Sequence, residues 1–219
     1  TPWFQLSHLV GRMDKAVAKN LAKYTAMALT SAATVPLSHI FIRDHLGQTL
    51  GWEAAGYWEA MWRLSAAYLM LVSSTLSVYY VPRLSELKTS AEIRNEILTG
   101  YRLILPVVVV CALVVYGLRQ FIIESLFSAA FMPMEALFFW QLLGDVLKIA
   151  SWVMGFVLTA KAMLGFYVVS EVAFSLLFYL LITQLVSVLG LEATAIAHAC
   201  VYMLHLLFMF GVLRWRSLI

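Results

Sequence analysis

Five ionisable residues stand inside long apolar runs: Glu59, Arg63, Asp145, Lys148 and Glu171. A charge at bilayer depth is costly, so each one marks a place where charge has a task. Glu59 and Arg63 are four residues apart, and Asp145 and Lys148 three apart. At those spacings opposite charges can neutralise each other along one helix, which is the plainer reading of both pairs. Glu171 has no opposite charge three or four residues away, and its plainer reading is a protonated carboxyl bonded to a neighbour. The functional reading is a polar chamber. There, arginine would grip an anion bidentately, lysine would add a point charge, and carboxylates would exchange protons or sodium. Two cations against three carboxylates leave a net charge of −1 in the set, which favours titrating carboxylates over a permanently cationic pore.

These residues need helices to hold them at depth, and the composition supplies them. Of the 219 residues 63% are hydrophobic and 12% charged, with a mean hydropathy of +0.86. Soluble domains carry about 45–50% apolar and about 25% charged residues. A globule of this size could not hide so much apolar surface from water, so the solvent is lipid. Soluble enzymes, disulfide scaffolds and disordered tails are excluded together, and the net charge of +3 makes nucleic acid a poor partner. A bilayer core needs about 20 apolar residues per helix. Six stretches reach that length: 21–42, 55–81, 101–123, 134–160, 162–188 and 191–213. The expected fold class is an all-α polytopic membrane protein. Arg43 to Gly47 is expected to end the first span and Pro82-Arg83 the second; Pro133 opens the fourth and Gly190 divides the last two.

The basic residues orient the spans, because cytoplasmic loops are enriched in them. Arg12, Lys15, Lys19 and Lys23 precede the first span; Arg83, Lys88, Arg94 and Arg102 follow the second; Lys161, Arg214 and Arg216 fall on the same side. Only Arg43 and Arg119 fall on the other, so both ends are expected in the cytoplasm. With that orientation and ~1.5 Å per residue, Arg63 lies ~12 Å along its span, Asp145 ~17 Å, Lys148 ~21 Å and Glu171 ~14 Å. Four charges near one depth on three helices suggest one chamber, with Glu59 shallower.

Residues 3–17 place Trp3, Leu6, Val10, Met13 and Val17 at spacings of three and four, with Arg12 and Lys15 on the opposite face. That pattern fits an amphipathic helix on the cytoplasmic surface, or a soluble linker helix. Residues 1–19 are therefore read as a linker and residues 20–219 as the six-helix unit. The opening Thr1-Pro2 reads as mid-protein. His198 and His205, seven apart on one helix face with Tyr202 between them, read as polar packing, too far apart to share a metal. His39 reads as interfacial, and Cys111 and Cys200 as small core residues. Pro36 leaves the Ala32 carbonyl without a donor; it is either a gating hinge or a plain bend. No serine elbow, phosphate-binding loop or metalloprotease helix is present. The short loops leave no room for soluble chemistry, and neither cofactor nor metal is expected. An enzyme is a poor reading.

The segment Trp140-Gln141-Leu142-Leu143-Gly144-Asp145-Val146-Leu147-Lys148, followed by Ser151-Trp152 and Ala160-Lys161-Ala162, resembles the tenth helix of Wzx-type polysaccharide flippases. Tyr80-Val81-Pro82-Arg83-Leu84-Ser85 resembles the cytoplasmic end of their eighth helix. These proteins fall in the multidrug/oligosaccharidyl-lipid/polysaccharide exporter superfamily, whose members have two six-helix lobes around a central cavity. The resemblance implies that this chain is one lobe of a two-lobe exporter, helices seven to twelve, in the bacterial inner membrane, and that an N-terminal lobe completes the cavity.

It also implies an undecaprenyl-pyrophosphate-linked oligosaccharide as substrate, moved from the cytoplasmic to the periplasmic leaflet. Further implied partners are membrane lipid, a polysaccharide polymerase and a chain-length regulator. In that setting Arg63 and Lys148 are the expected head-group contacts. Asp145, Glu171 and Glu59 are the expected ion-coupling groups, and Pro36 the gating hinge. The alternatives are a drug/cation antiporter, which the three carboxylates would suit and the two cations would not, and a non-transporting scaffold.

Overall fold

The structure is a computed structural model and describes residues 15–219. The chain runs α1 (Lys15–Leu50), α2 (Trp52–Thr75), a π-helical turn (Leu76–Tyr80), α3 (Val81–Glu86), α4 (Ser90–Gly117), α5 (Arg119–Leu126), a 3₁₀ segment (Ala129–Leu137), α6 (Phe138–Ala160), α7 (Leu164–Leu189) and α8 (Glu192–Trp215). No strand occurs among the described residues. Among the described residues six helical stretches are long and apolar enough to cross a membrane, one for each span expected from the sequence.

The helix ends fall elsewhere than expected. The Arg43 to Gly47 stretch lies inside α1, which continues to Leu50. Polar residues end a membrane span without ending a helix; what breaks the chain is Gly51, whose φ of 94° few other residues adopt. Pro82 likewise ends nothing. It lies in α3, and the chain stays helical through it because the π turn joins α2 to α3 without a loop. Gly190 does divide the last two helices, at φ 59°. α1 runs unbroken through Pro36. The surface helix read at residues 3–17 lies outside the described residues except for its last turn, which is the start of α1.

α6 is the central helix, packed along α8 on one side and α4 on the other. In lipid the drive to pack comes from close contact, so small residues collect where helices touch. Ala193, Ala195, Ala197 and Ala199 of α8 are buried, and a Cβ placed on Gly144 of α6 would stand 3.1 Å from the Ala199 backbone nitrogen. Tyr101 of α4 donates its hydroxyl to the Ala150 carbonyl at 2.8 Å. α1 closes the other flank by packing against α7 and α2, and Ser31 shares a 2.7 Å hydrogen bond with Tyr167. Cys111 and Cys200 are not core residues: both face out of the bundle. A lipid-facing helix is apolar on all sides, so an apolar run does not reveal which face points inward.

Candidate functional site

The site lies among α1, α2, α6, α7 and α8. A cavity of about 260 Å³ is lined by His39, Lys148, Glu171, His198 and His205 together with aromatic rings. A second, of about 360 Å³, shares Trp152, Ser170, Glu171 and His205 with the first. It continues toward the end of the bundle where α6 finishes and α7 begins, and carries the hydroxyls of Ser31, Ser73, Ser77, Thr159 and Tyr167.

Behind the first cavity is a sealed polar network centred on Asp145, whose side chain is wholly buried. Its Oδ2 accepts the Tyr68 hydroxyl at 2.8 Å, and its Oδ1 lies 3.0 Å from Nε2 of His198. With the carboxylate ionised, it can only accept, and Nε2 then carries the shared proton. Gln141 lies 3.5 Å from Oδ1 and donates to Ser65 at 3.3 Å. Gly144, one residue before Asp145, admits the His198 ring, because a side chain there would collide with it.

Lys148 points the other way, into the cavity. Its ammonium stands 4.9 Å from the ring centre of Trp62, 4.9 Å from that of Trp152 and 5.6 Å from that of Tyr202. Among the described residues no carboxylate oxygen comes within 4.0 Å of it. The three-residue spacing therefore does not pair Asp145 with Lys148: the carboxylate turns to α8 and the ammonium to the rings.

The structure brings Lys148 and Glu171 to one cavity, with Asp145 reaching its wall through His198. It does not bring Glu59 and Arg63 there. Those two pair with each other at 2.9 Å, and the Arg63 side chain is 77% exposed, on the face of α2 that also exposes Ala66, Ala67 and Met70. Pro36 is exposed, one residue after Val35, which lines both cavities.

Two roles were illegible in the sequence. His39 packs tilted against Trp58 and edge-on against Trp62, with ring centroids 5.2 and 4.3 Å away, and lines the cavity. His198 bonds a residue on another helix; its only signal was sharing a face with His205, which itself bonds Ser151.

Two curated relatives, the lipid III flippases of Escherichia coli (strain K12) and Shigella flexneri, are each 35% identical to this chain over 212 residues. The match covers 96% of this chain and 51% of each relative. The chain is similar to half of a lipid III flippase. It spans about half the length of the curated relatives it matches, and the resemblance first read from the Trp140–Lys148 region extends over nearly all of it. The fold is similar to that of a MATE transporter of Vibrio cholerae, VcmN, in its bent form. That likeness has a TM-score of 0.67 at 18% identity and covers 93% of this chain and 48% of the other; it bears on the fold alone. No family model matches the chain. The chain is a multi-pass membrane protein with a transporter fold.

Proposed function

We propose that the chain is one lobe of a flippase that carries an undecaprenyl-pyrophosphate-linked oligosaccharide from the cytoplasmic to the periplasmic leaflet of the bacterial inner membrane. The substrate on this reading is lipid III, the precursor of enterobacterial common antigen. The likeness to lipid III flippases supports it. So does one structural observation: the Lys148 ammonium faces a cavity with no protein acceptor in hydrogen-bonding range among the described residues. A half-buried ammonium without a carboxylate partner suits an anionic ligand such as pyrophosphate.

The second cavity, rich in hydroxyls and adjoining the first through Glu171, suits the first sugars beyond the pyrophosphate. Glu171 is the carboxylate placed to couple ion movement to substrate. Asp145 joins it by way of His198 and Tyr68, and any change in its charge would reach the cavity wall through that imidazole. Arg63, exposed on α2 and paired with the half-buried Glu59, meets the head group from the side completed by an N-terminal lobe. This chain then supplies helices seven to twelve, with both ends in the cytoplasm. Pro36, beside the cavity, is the bend on which α1 moves. A polysaccharide polymerase and a chain-length regulator are the partners such a flippase feeds.

A drug/cation antiporter is the competing reading, favoured by the aromatic lining and Glu171. An ammonium already seated among those aromatic rings opposes it, because a second cation there would meet like charge. Inverted membrane vesicles separate the two readings. Vesicles holding the protein should accumulate a water-soluble short-prenyl pyrophosphate saccharide above empty vesicles, unaffected by an excess of a hydrophobic cation. Accumulation of the cation and not the saccharide would establish the antiporter instead.

A further inference from the structure

Lys148 is held in an unusual way. An ammonium in a low-dielectric interior ordinarily takes a carboxylate, and Asp145 is only three residues away on α6. That carboxylate is instead occupied by Tyr68 and His198, and three π faces from three helices surround the ammonium: Trp62 of α2, Trp152 of α6 and Tyr202 of α8. The rings are themselves fixed. Trp62 packs edge-on against His198 with centroids 5.5 Å apart, and Tyr202 against the same imidazole at 4.9 Å.

The two kinds of partner differ in what they leave free. A carboxylate consumes the N–H donors of lysine. An aromatic face stabilises the positive charge through its quadrupole and accepts no ordinary hydrogen bond. An ammonium among rings is therefore shielded from water on three sides, with its N–H donors left for a ligand in the cavity that it lines.

We propose that Trp62, Trp152 and Tyr202 are positioning residues that stabilise the Lys148 ammonium in place of a carboxylate and so reserve its N–H donors for a phosphate oxygen of the ligand. The proposal rests on the flippase reading and adds to it the part of the site that makes one lysine an anion receptor. It also assigns a task to the Asp145–His198–Tyr68 network: by occupying the nearest carboxylate, it prevents that carboxylate from closing on Lys148.

The test is binding of two probes to the purified protein in nanodiscs, geranyl pyrophosphate and the uncharged alcohol geraniol. Trp152→Leu and Tyr202→Leu, which keep apolar bulk and remove the π face, should each weaken pyrophosphate binding by about tenfold or more and leave geraniol binding unchanged. Trp152→Phe, which keeps a π face, should restore most of the loss. In a Lys148→Met background the ring substitutions should have no further effect on pyrophosphate binding, because the group they act through is gone.

Pyrophosphate binding that survives both leucine substitutions would overturn the proposal and leave the flippase reading standing. Equal loss of both probes, or a loss that persists in the Lys148→Met background, would make the rings merely structural and overturn it too. If Trp152→Leu does not fold, Tyr202→Leu and Trp62→Leu decide between the same outcomes. No pyrophosphate binding by the unsubstituted protein would overturn the flippase reading, and this proposal with it.

Discussion

His198 of α8 places its Nε2 3.0 Å from Oδ1 of Asp145 on α6, and both side chains are sealed inside the bundle. The contact ties α6 to α8, the two most intimately packed helices, by a polar bond beside the closely packed Gly144 and Ala199. A buried polar group that loses its partner bears the full cost of its desolvation. His198→Ala should therefore destabilise the protein by about 3 kcal/mol, within the range for breaking a buried pair. Thermal unfolding in detergent, followed by tryptophan fluorescence, measures this. An unfolding temperature equal to that of the unsubstituted protein would show that the contact contributes nothing.

Gly144 gives that imidazole its room. A methyl group at Gly144 would collide with the His198 ring and crowd the Ala199 backbone at 3.1 Å. Gly144→Ala should cost about 1–3 kcal/mol, as overpacking does. Because the collision is with His198, the two costs should be less than additive when Gly144→Ala and His198→Ala are combined. Fully additive costs in the same unfolding assay would place the strain elsewhere.

Arg63 separates stability from transport. Its ion pair with Glu59 is within one helix and the Arg63 side chain is 77% exposed, so Arg63→Ala should change stability by less than about 0.5 kcal/mol. Uptake of the short-prenyl pyrophosphate saccharide should nevertheless fall by about tenfold, as expected for loss of a charge-assisted contact. Normal uptake by a normally folded Arg63→Ala protein would remove Arg63 from the head-group site.

Pro36 offers the complementary case. It interrupts one backbone bond of α1 beside Val35, which lines both cavities. Pro36→Ala restores that bond and should keep or raise thermal stability while slowing uptake several-fold, if the bend is where α1 moves. Unchanged uptake would reduce Pro36 to a bend of no consequence for transport.

The sequence carried the six spans because a bilayer sets a minimum apolar length, and length can be read without knowing contacts. It did not carry direction around the helix axis. Asp145 and Lys148 have the spacing of a pair, yet one turns to His198 and the other to Trp62 and Tyr202, and that choice is made by α2 and α8. Glu59 and Arg63 have a similar spacing and do pair, because no other helix competes for them. Cys111 was misread from the same cause: in lipid the inner and outer faces of a helix are both apolar. The helices run past the expected span ends because charge marks the end of a span, whereas backbone geometry, as at Gly51, ends a helix.

Lys148 bears the central claim, and one comparison tests it most directly. Inverted vesicles carrying equal amounts of folded protein, unsubstituted or Lys148→Ala, are supplied with the short-prenyl pyrophosphate saccharide under an ion gradient. The account predicts uptake by the unsubstituted protein and a reduction of about tenfold or more in Lys148→Ala. Equal uptake by the two would contradict it, since the ammonium facing the cavity would then have no part in holding the substrate.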